Sequence, residues 1–220
     1  MKKIFLINHI PKCAGSSLRK SLENNFKDEL LNLSYNPIRS GKYEYIKLFY
    51  TKFFVKNFRS KIFIGKSIIH GHFCYDDIPD FPNHKKIQIC FFRDPIEWFG
   101  SFYFWEKDYR KRNTGDPITF LKNYQLHSAF KRHLGKVKIE DLDFVGLVEK
   151  YSESISLLND YFNLKIENIL INRNKNNYFD YKTKLSKLCD INHLKKSLEE
   201  NFQYYYKAQE KFDTFKILKK

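Results

Sequence analysis

Short apolar runs alternate with amphipathic helical stretches along this chain, and the alternation constrains its fold more than any other feature. Strands that are separated by helices pair in parallel, with helices packed on both faces of the sheet. We therefore predict an α/β fold, a single domain over residues 1–220 with a central parallel sheet flanked by helices. The predicted strands are residues 3–8, 61–65, 66–73, 85–95, 143–148 and 167–172. The predicted helices are residues 18–26, 43–58, 98–105, 117–132, 151–162 and 191–213. Asp94 as a helix cap and Pro95 in the first turn predict where the third of these helices starts.

The charge of the chain points to an anionic partner. Its 40 lysines and arginines stand against 25 aspartates and glutamates, a net charge of +15. An AT-rich genome can also produce this composition, which is rich in lysine, asparagine, isoleucine, phenylalanine and tyrosine. The net charge alone therefore does not establish an anionic partner. The four cysteines show no paired spacing, which favours a reducing, cytoplasmic location. No apolar run approaches the roughly 20 residues of a membrane span, and we expect none.

The stretch PKCAGSS, residues 11–17, joins the first predicted strand to the first predicted helix and has the composition of an anion-binding loop. A loop that enters a helix presents free backbone N–H groups and the positive end of the helix dipole. Gly15 permits close backbone approach, Ser16 and Ser17 add hydroxyl donors, and Lys12 supplies a mobile positive charge. An ordinary strand-to-helix turn with a serine cap would have the same composition.

A second stretch, SKIFIGKS at residues 60–67, imitates a Walker A phosphate-binding loop. The Walker A pattern requires glycine where Ser60 stands, and the intervening KIFI is β-prone rather than glycine-rich. We therefore reject it. Without a Walker A serine or threonine the usual magnesium ligand is missing, which weakens a kinase interpretation.

Arg93 and Ser101 form a second candidate anion site. Arg93 stands at a predicted strand end, and Ser101 lies about two turns into the following helix, so both could converge on one phosphate. The alternatives are an arginine that pairs with Asp94 or Glu97 and a serine that serves helix packing. Two separate anion sites suit a ligand with two separated phosphate groups.

The segment HGHFC, residues 70–74, puts His70, His72 and Cys74 on one face if it is extended. These residue types could bind a metal, serve as structural histidines or supply a general base. A histidine base suits transfer to a hydroxyl, because its unperturbed pKa of about 6.5 lies near working pH.

Together these segments resemble the carbohydrate sulfotransferases that use 3′-phosphoadenylyl sulfate (PAPS), closest to the heparan and dermatan uronyl 2-O-sulfotransferase type. Residues 11–17 are similar to their 5′-phosphosulfate loop, residues 93–105 to their 3′-phosphate motif and residues 144–158 to a downstream segment. The family also shares an HGH segment and a basic loop. The resemblance implies a P-loop NTPase-like sulfotransferase fold, PAPS as co-substrate and a glycan acceptor. We expect no metal, because the leaving adenosine bisphosphate is already a stable anion.

The chain departs from the family pattern in the first loop. Cys13 stands where threonine is common, and Gly15 stands where a hydroxyl residue is frequent. Hydroxyl contacts with the nucleotide are therefore in question at both positions. The short length and the lack of a membrane anchor suggest a bacterial relative.

The resemblance also implies roles for individual residues. Lys12 would stabilise the leaving group, His72 would be the general base, and His70 would orient that base or contact the acceptor. Arg110 and Arg112 in the basic loop would hold an acidic acceptor, unless that loop is merely solvated. The residues expected to bind PAPS are Lys12, Cys13, Ala14, Gly15, Ser16, Ser17, Arg93 and Ser101.

Arg173, at the end of the last predicted strand, is a further candidate for contact with adenine or the 3′-phosphate. Three other functions compete with sulfuryl transfer. A P-loop-type kinase would depend on ATP and magnesium. A basic nucleic-acid-binding module would show steeply salt-dependent binding, although no helix-turn-helix, zinc-finger or RNP pattern supports it. A degenerate family member would bind nucleotide without catalysis.

Overall fold

Five parallel strands form the central sheet of the computed structural model, which describes residues 2–34, 63–81, 83–169, 171 and 180–218. The order in the sheet is β2-β3-β1-β4-β5, and each pairing is parallel. The predicted α/β fold with a central parallel sheet is therefore confirmed, while the extent of the domain stays a prediction. The strands are β1 (Lys2–Asn8), β2 (Leu30–Ser34), β3 (Ile68–His72), β4 (His84–Phe92) and β5 (Phe144–Leu147).

Helices flank the sheet. The second of them starts as predicted, because the Asp94 carboxylate accepts the N–H groups of Ile96 and Glu97 at 2.9 and 3.1 Å, with Pro95 in the first turn. Among the helices described, none is both long enough and apolar enough to cross a membrane. They are α1 (Gly15–Phe26), α2 (Pro95–Phe104), α3 (Pro117–Asn123), α4 (Ala129–Leu134), α5 (Tyr151–Phe162), α6 (Tyr181–Ser186), α7 (Ile191–Ser197) and α8 (Glu199–Leu218).

The strand β1 lies at the middle of the sheet, and its residues 4–7 are all buried. Because successive side chains of a strand point to opposite faces, both faces of the sheet must be covered at this point. The same holds for residues 89–92 at the end of β4. Continuous apolar runs in these two strands are therefore the expected pattern for a buried parallel sheet.

An aromatic cluster anchors α2, the helix that follows β4. The Trp98 ring meets the Phe130 ring of α4 edge-on, with 5.1 Å between centroids, and the Phe102 ring lies 5.8 Å from that of Phe120 in α3. Aromatic pairs at such separations contribute about 0.5–1.5 kcal/mol each beyond the burial of their area. The cluster therefore sets where the residues at the start of α2 stand.

The predicted strand at 61–65 is wrong in its described part. Phe63 is helical and residues 64–65 form a turn, which is closed where the N–H of Lys66 donates to the carbonyl of Phe63 at 3.1 Å. The strand β2, which the sequence analysis did not predict, supplies the edge of the sheet beside β3. Residues 43–58, the predicted second helix, lie outside the described residues.

The predicted strand at 167–172 is also wrong, because its described residues belong to no sheet. The N–H of Glu167 donates to the Ser21 hydroxyl at 2.5 Å, and the N–H of Ile171 donates to the Ser17 hydroxyl at 3.0 Å. Two serines on one face of α1 therefore satisfy backbone groups that a neighbouring strand would otherwise bind.

The predicted helix at 117–132 is broken into α3 and α4. The buried Asn201 side chain of α8 accepts the Phe130 N–H at 3.0 Å and donates to the Leu126 carbonyl at 2.8 Å. The side-chain amide of Asn201 thus satisfies backbone groups at the break, which lowers the free-energy cost of interrupting the helix there. The predicted helix at 191–213 is likewise interrupted, between α7 and α8.

Candidate active site

The segments that follow β1, β3 and β4 meet at the carboxyl ends of the strands, because β1 lies between the other two in the sheet. Ligands of open parallel sheets bind at this edge. The structure therefore brings together the three segments that the sequence analysis singled out, the PKCAGSS loop, the HGH segment and Arg93 with Asp94.

The helix α1 begins in a way that leaves backbone donors for a ligand. Its N-cap is Ala14, whose methyl group cannot accept a hydrogen bond, whereas aspartates cap α2, α3 and α7. The helical ladder starts where the Leu18 N–H donates to the Ala14 carbonyl at 3.1 Å. The N–H groups of Gly15, Ser16 and Ser17 precede it at the positive end of the helix. A helix start of this kind favours an anion, and we call residues 12–17 the anion cradle.

The loop before α1 turns tightly. Lys12 and Ala14 both take the left-handed backbone conformation, with φ of +69° and +60°. Within the loop, the Cys13 N–H donates to the Ile10 carbonyl at 3.1 Å. The Cys13 side chain is buried in the core, and this burial, with a smaller effect of Cys90, raises the pKa of its thiol. The Cys13 side chain therefore packs in the core beneath the loop as a protonated thiol.

The two serines of the loop have different environments. The Ser17 hydroxyl is buried and accepts the Ile171 N–H at 3.0 Å, so it serves the chain itself. Ser16 is exposed. Of the two predicted hydroxyl donors, only that of Ser16 faces solvent. Arg173, two residues beyond Ile171, lies outside the described residues.

Arg93 and Trp98 hold the loop from the side of β4 and α2. Arg93 Nη1 donates to the Lys12 carbonyl at 3.4 Å, and the Trp98 indole N–H donates to the Pro11 carbonyl at 2.8 Å. Arg93 is only 2% exposed, and its Nη2 lies 3.8 Å from Glu97 Oε2. The predicted alternative pairing with Glu97 is thus present. Arg93 contributes positive charge at the loop and braces its backbone.

Ser101 is buried on α2, one turn after Glu97 and one turn before Trp105. Residues four apart lie on the same side of a helix. Ser101 therefore lies on the same side of α2 as Glu97 and Trp105. Glu97 is the ion-pair partner of Arg93, and the Trp105 ring contacts Lys12.

The Lys12 amine lies over an aromatic ring. Its Nζ is 4.8 Å from the centroid of the Trp105 ring, and the guanidinium carbon of Arg110 is 4.6 Å from the same centroid. Partial burial, followed by the charge of Arg93, lowers the pKa of Lys12 to about 8, and the charge of Glu106 partly opposes this. Lys12 is therefore mostly protonated at pH 7 and loses its proton in mild alkali.

A buried carboxylate that the sequence analysis missed anchors the basic loop. Glu106 is fully buried in a π-helical turn at Trp105–Tyr109, where its Oε2 lies 3.0 Å from Arg112 Nη1 and its Oε1 lies 3.5 Å from Arg110 Nη1. π-Helical turns occur frequently at functional sites. The spacing of four residues to Arg110 was the signal that could have revealed Glu106.

His72 belongs to a cluster of four histidines. His72 Nδ1 lies 2.5 Å from the His9 carbonyl oxygen, and because a carbonyl only accepts, Nδ1 carries the proton and Nε2 is the basic nitrogen of the neutral ring. The His9 ring stacks on those of His72 and His70, with centroid distances of 4.3 and 5.5 Å. The His133 ring of α4 lies 6.3 Å from that of His72.

The other three histidines stay neutral. Burial lowers the pKa of His9 and His133, and burial followed by the charge of His72 lowers the pKa of His70 to about 3. His70 is buried, with Nδ1 3.4 Å from Asn32 Oδ1, which favours the structural alternative for it. Two of the four were not among the predicted site residues: His9, although it directly precedes the loop, and His133, for which no local signal exists.

The cluster is not built as a metal site. Over the described ranges, no group of three or more His, Cys, Asp or Glu side chains is arranged to hold a metal ion. Cys74, the third member of the HGHFC pattern, donates its thiol to the Arg132 carbonyl at 2.9 Å. The rings of His9 and His72 stack face to face, which turns their nitrogens away from a common centre.

Comparison with known proteins leaves the family open. No protein-family model and no curated protein matches the chain. A solved structure that is similar is the crystal structure of mouse sulfotransferase SULT7A1 complexed with PAP, at 14% sequence identity and a TM-score of 0.47. The match covers 99% of this chain and 88% of that chain. A likeness at this level does not establish a function.

Proposed function

We propose that this protein is a PAPS-dependent carbohydrate O-sulfotransferase, which transfers a sulfuryl group from PAPS to a hydroxyl of a glycan. One observation carries the proposal. Lys12 stands at the alanine-capped start of α1, while His72, with its Nδ1 proton committed to His9, lies at the end of the adjacent strand β3. An anion cradle with a nearby amine and an oriented imidazole suits the transfer of an anionic group to a hydroxyl.

The nucleotide is bound at two places in this proposal. The N–H groups of Gly15, Ser16 and Ser17 and the Ser16 hydroxyl bind the 5′-phosphosulfate, while Cys13 and Ala14 shape the loop that presents them. Arg93 and Ser101 bind the 3′-phosphate, in competition with the Glu97 carboxylate 3.8 Å from the guanidinium. Arg173 stays a candidate for contact with adenine or the 3′-phosphate.

The chemistry follows from charge and proton balance. The acceptor hydroxyl gives its proton to His72 Nε2 as its oxygen bonds to sulfur, and the bond between sulfur and the bridging phosphate oxygen breaks. Negative charge grows on the leaving phosphate, where the Lys12 ammonium and the N–H groups of α1 stabilise it. The products are a sulfate ester and adenosine 3′,5′-bisphosphate. His70, neutral and buried, supports the sheet end that carries His72.

The acceptor proposed for the site is an acidic sugar of the uronyl type. Arg110 and Arg112 share the single carboxylate of Glu106, so two positive charges and one negative charge leave a net charge of +1. That excess suits a carboxylate or sulfate on the acceptor. Arg110 also contacts the Trp105 ring that lies beside Lys12, which brings the excess charge close to the transferring group.

The same cradle could serve a phosphoryl transferase, so the first experiment separates the two nucleotides. Thermal stabilisation is measured with adenosine 3′,5′-bisphosphate and with ATP–Mg²⁺, on the native chain and on Lys12→Ala. We expect stabilisation by the bisphosphate only, reduced in the variant. Stabilisation by ATP–Mg²⁺ alone would favour the kinase alternative, and salt-sensitive binding of DNA or RNA would favour the nucleic-acid module. Transfer of labelled sulfate from PAPS to acidic and neutral glycans then defines the acceptor.

The four cysteines are free, which is compatible with the proposed reducing, cytoplasmic setting. The uronyl 2-O specificity rests on the motif resemblance. Comparison of heparan and dermatan acceptors with and without a free 2-hydroxyl tests the specificity.

A further inference from the structure

The His9 side chain fills the space between the anion cradle and the histidine base. Its ring packs against Gly15, the first residue of α1, and a Cβ built on Gly15 would fall within that ring. The same ring stacks on His72, with 4.3 Å between centroids and 25° between planes. One side chain therefore contacts both the backbone that would bind the phosphosulfate and the base that would take the acceptor proton.

The backbone of His9 also contacts the HGH segment, residues 70–72. Its N–H donates to the Gly71 carbonyl at 2.7 Å, and its carbonyl accepts the Nδ1–H of His72 at 2.5 Å. His9 therefore contacts the HGH segment through both backbone groups and through its ring. The hydrogen bond selects the tautomer of His72, and the stacked ring restricts the rotation that would break this bond.

The surroundings keep the His9 ring neutral. Burial lowers its pKa, and the nearby groups His72, His70, His133 and Lys12 lower it further. A neutral ring that is packed on two sides acts by its shape and its stacking face.

We propose that His9 is a positioning residue that couples the cradle to the base. Its ring holds His72 in the rotamer that keeps Nδ1–H on the His9 carbonyl, and it sets that rotamer relative to Gly15. The catalytic consequence rests on the proposed function, in which His72 takes the acceptor proton. The contact itself does not depend on that function.

Two substitutions separate ring shape from ring chemistry. His9→Ala removes the ring and keeps the backbone carbonyl, whereas His9→Phe keeps a planar ring without nitrogens. We expect His9→Ala to lower kcat for sulfuryl transfer about 10- to 100-fold, because a misplaced base is costly, with little change in the Kd of adenosine 3′,5′-bisphosphate. His9→Phe should recover most of the turnover. The exposed His193, replaced by alanine, is the matched control.

Two outcomes of the kinetics would overturn the positioning role. Unchanged turnover in His9→Ala would mean that the ring positions nothing. An equal loss in His9→Phe and His9→Ala would mean that the ring nitrogens, rather than the ring shape, are required.

A second measurement does not require activity. Long-range ¹H–¹⁵N spectra report the tautomer of His72, whose signals are assigned by their loss in His72→Ala. We expect one neutral Nδ1–H form in the native protein and in His9→Phe, and a mixture of tautomers in His9→Ala. The same single form in His9→Ala would contradict the proposal.

A double-mutant cycle tests the contact with the cradle. Gly15→Ala should destabilise the native chain, because its methyl group collides with the His9 ring, and should cost less in the His9→Ala background. Equal costs in both backgrounds would contradict the contact. A native protein with the expected tautomer and cycle but without PAPS turnover would overturn the proposed function and leave the His9 coupling intact.

Discussion

The indole N–H of Trp98 in α2 donates a hydrogen bond of 2.8 Å to the carbonyl of Pro11, 87 positions earlier in the chain. Pro11 immediately precedes Lys12, whose own carbonyl accepts a hydrogen bond from Arg93 at 3.4 Å. The position of the anion cradle is therefore set by a helix that the chain reaches only after the three strands β2, β3 and β4. This relationship makes the loop sensitive to substitutions that do not touch a ligand.

Trp98→Phe should weaken both stability and nucleotide binding. The ring pairing with Phe130 is largely kept, but the buried Pro11 carbonyl loses its donor, at a cost of about 1–3 kcal/mol in the free energy of unfolding. We expect a several-fold weaker Kd for adenosine 3′,5′-bisphosphate, measured by calorimetry beside urea unfolding. Tyr103→Phe is the control, because its hydroxyl donates to the Gly115 carbonyl at 2.8 Å. It should lose stability and keep nucleotide affinity, and a parallel loss of affinity would argue against a specific brace.

His72→Ala should separate binding from transfer. The substitution leaves the cradle intact, so the affinity for adenosine 3′,5′-bisphosphate should stay within about threefold. Transfer of labelled sulfate should fall about 10²- to 10⁴-fold, the usual contribution of a general base. His193→Ala controls for loss of a histidine elsewhere. Near-normal turnover in His72→Ala would exclude this residue as the base.

The rate of transfer should fall in mild alkali. Burial and Arg93 lower the pKa of Lys12 to about 8, so its positive charge is present below that pH and is lost above it. Because kcat/KM reports the free enzyme, kcat/KM for PAPS should decline through an apparent pKa of about 8. Lys12→Arg stays charged and should lack this decline, although its turnover is lower. A pH–rate profile in which the same decline persists in Lys12→Arg would assign the titration to another group.

Glu106→Gln should affect the basic loop and Lys12 together. Loss of the buried negative charge leaves Arg110 and Arg112 without their shared carboxylate, which should cost about 1–3 kcal/mol of stability. It also removes the group that supports the charge of Lys12, so the alkaline decline of kcat/KM should move to lower pH.

Glu140→Gln is the matched control for Glu106→Gln. Its carboxylate is exposed and pairs with Lys207 at 2.8 Å, so the expected change in stability is below about 1 kcal/mol. Equal effects of the two substitutions in urea unfolding, or an unmoved pH profile in Glu106→Gln, would refute a special role for the buried carboxylate.

Features encoded within a few consecutive residues were predictable from the sequence. The apolar runs of β1 and β4 predicted buried strands, because a strand that is buried on both faces is apolar at consecutive positions. The Asp94–Pro95 pair predicted the start of α2. The strand-to-helix loop at residues 11–17 was likewise visible, because its glycine, serines and lysine act through local backbone geometry. These elements also determined that the carboxyl ends of parallel strands would share one edge.

Features that depend on distant partners were not predictable. The hydroxyl of Ser17 looked like a ligand donor, but it binds the backbone of Ile171, 154 positions away. The break between α3 and α4 depends on Asn201, and the residues near that break give no signal that predicts it. Periodicity describes only what a segment can do alone, and a buried polar group takes whichever partner the packed chain brings to it.

The sequence by itself therefore determined the parallel sheet, the loop that enters α1 and the candidate residues Lys12, Arg93 and His72. The tertiary structure decided the surroundings of these residues. It directs the Cys13 thiol into the core, gives Arg110 and Arg112 a shared buried carboxylate in Glu106, and stacks His9 between the cradle and His72. The physical reason is that burial and hydrogen-bond partners, which set protonation and orientation, arise only when segments far apart in the chain pack together.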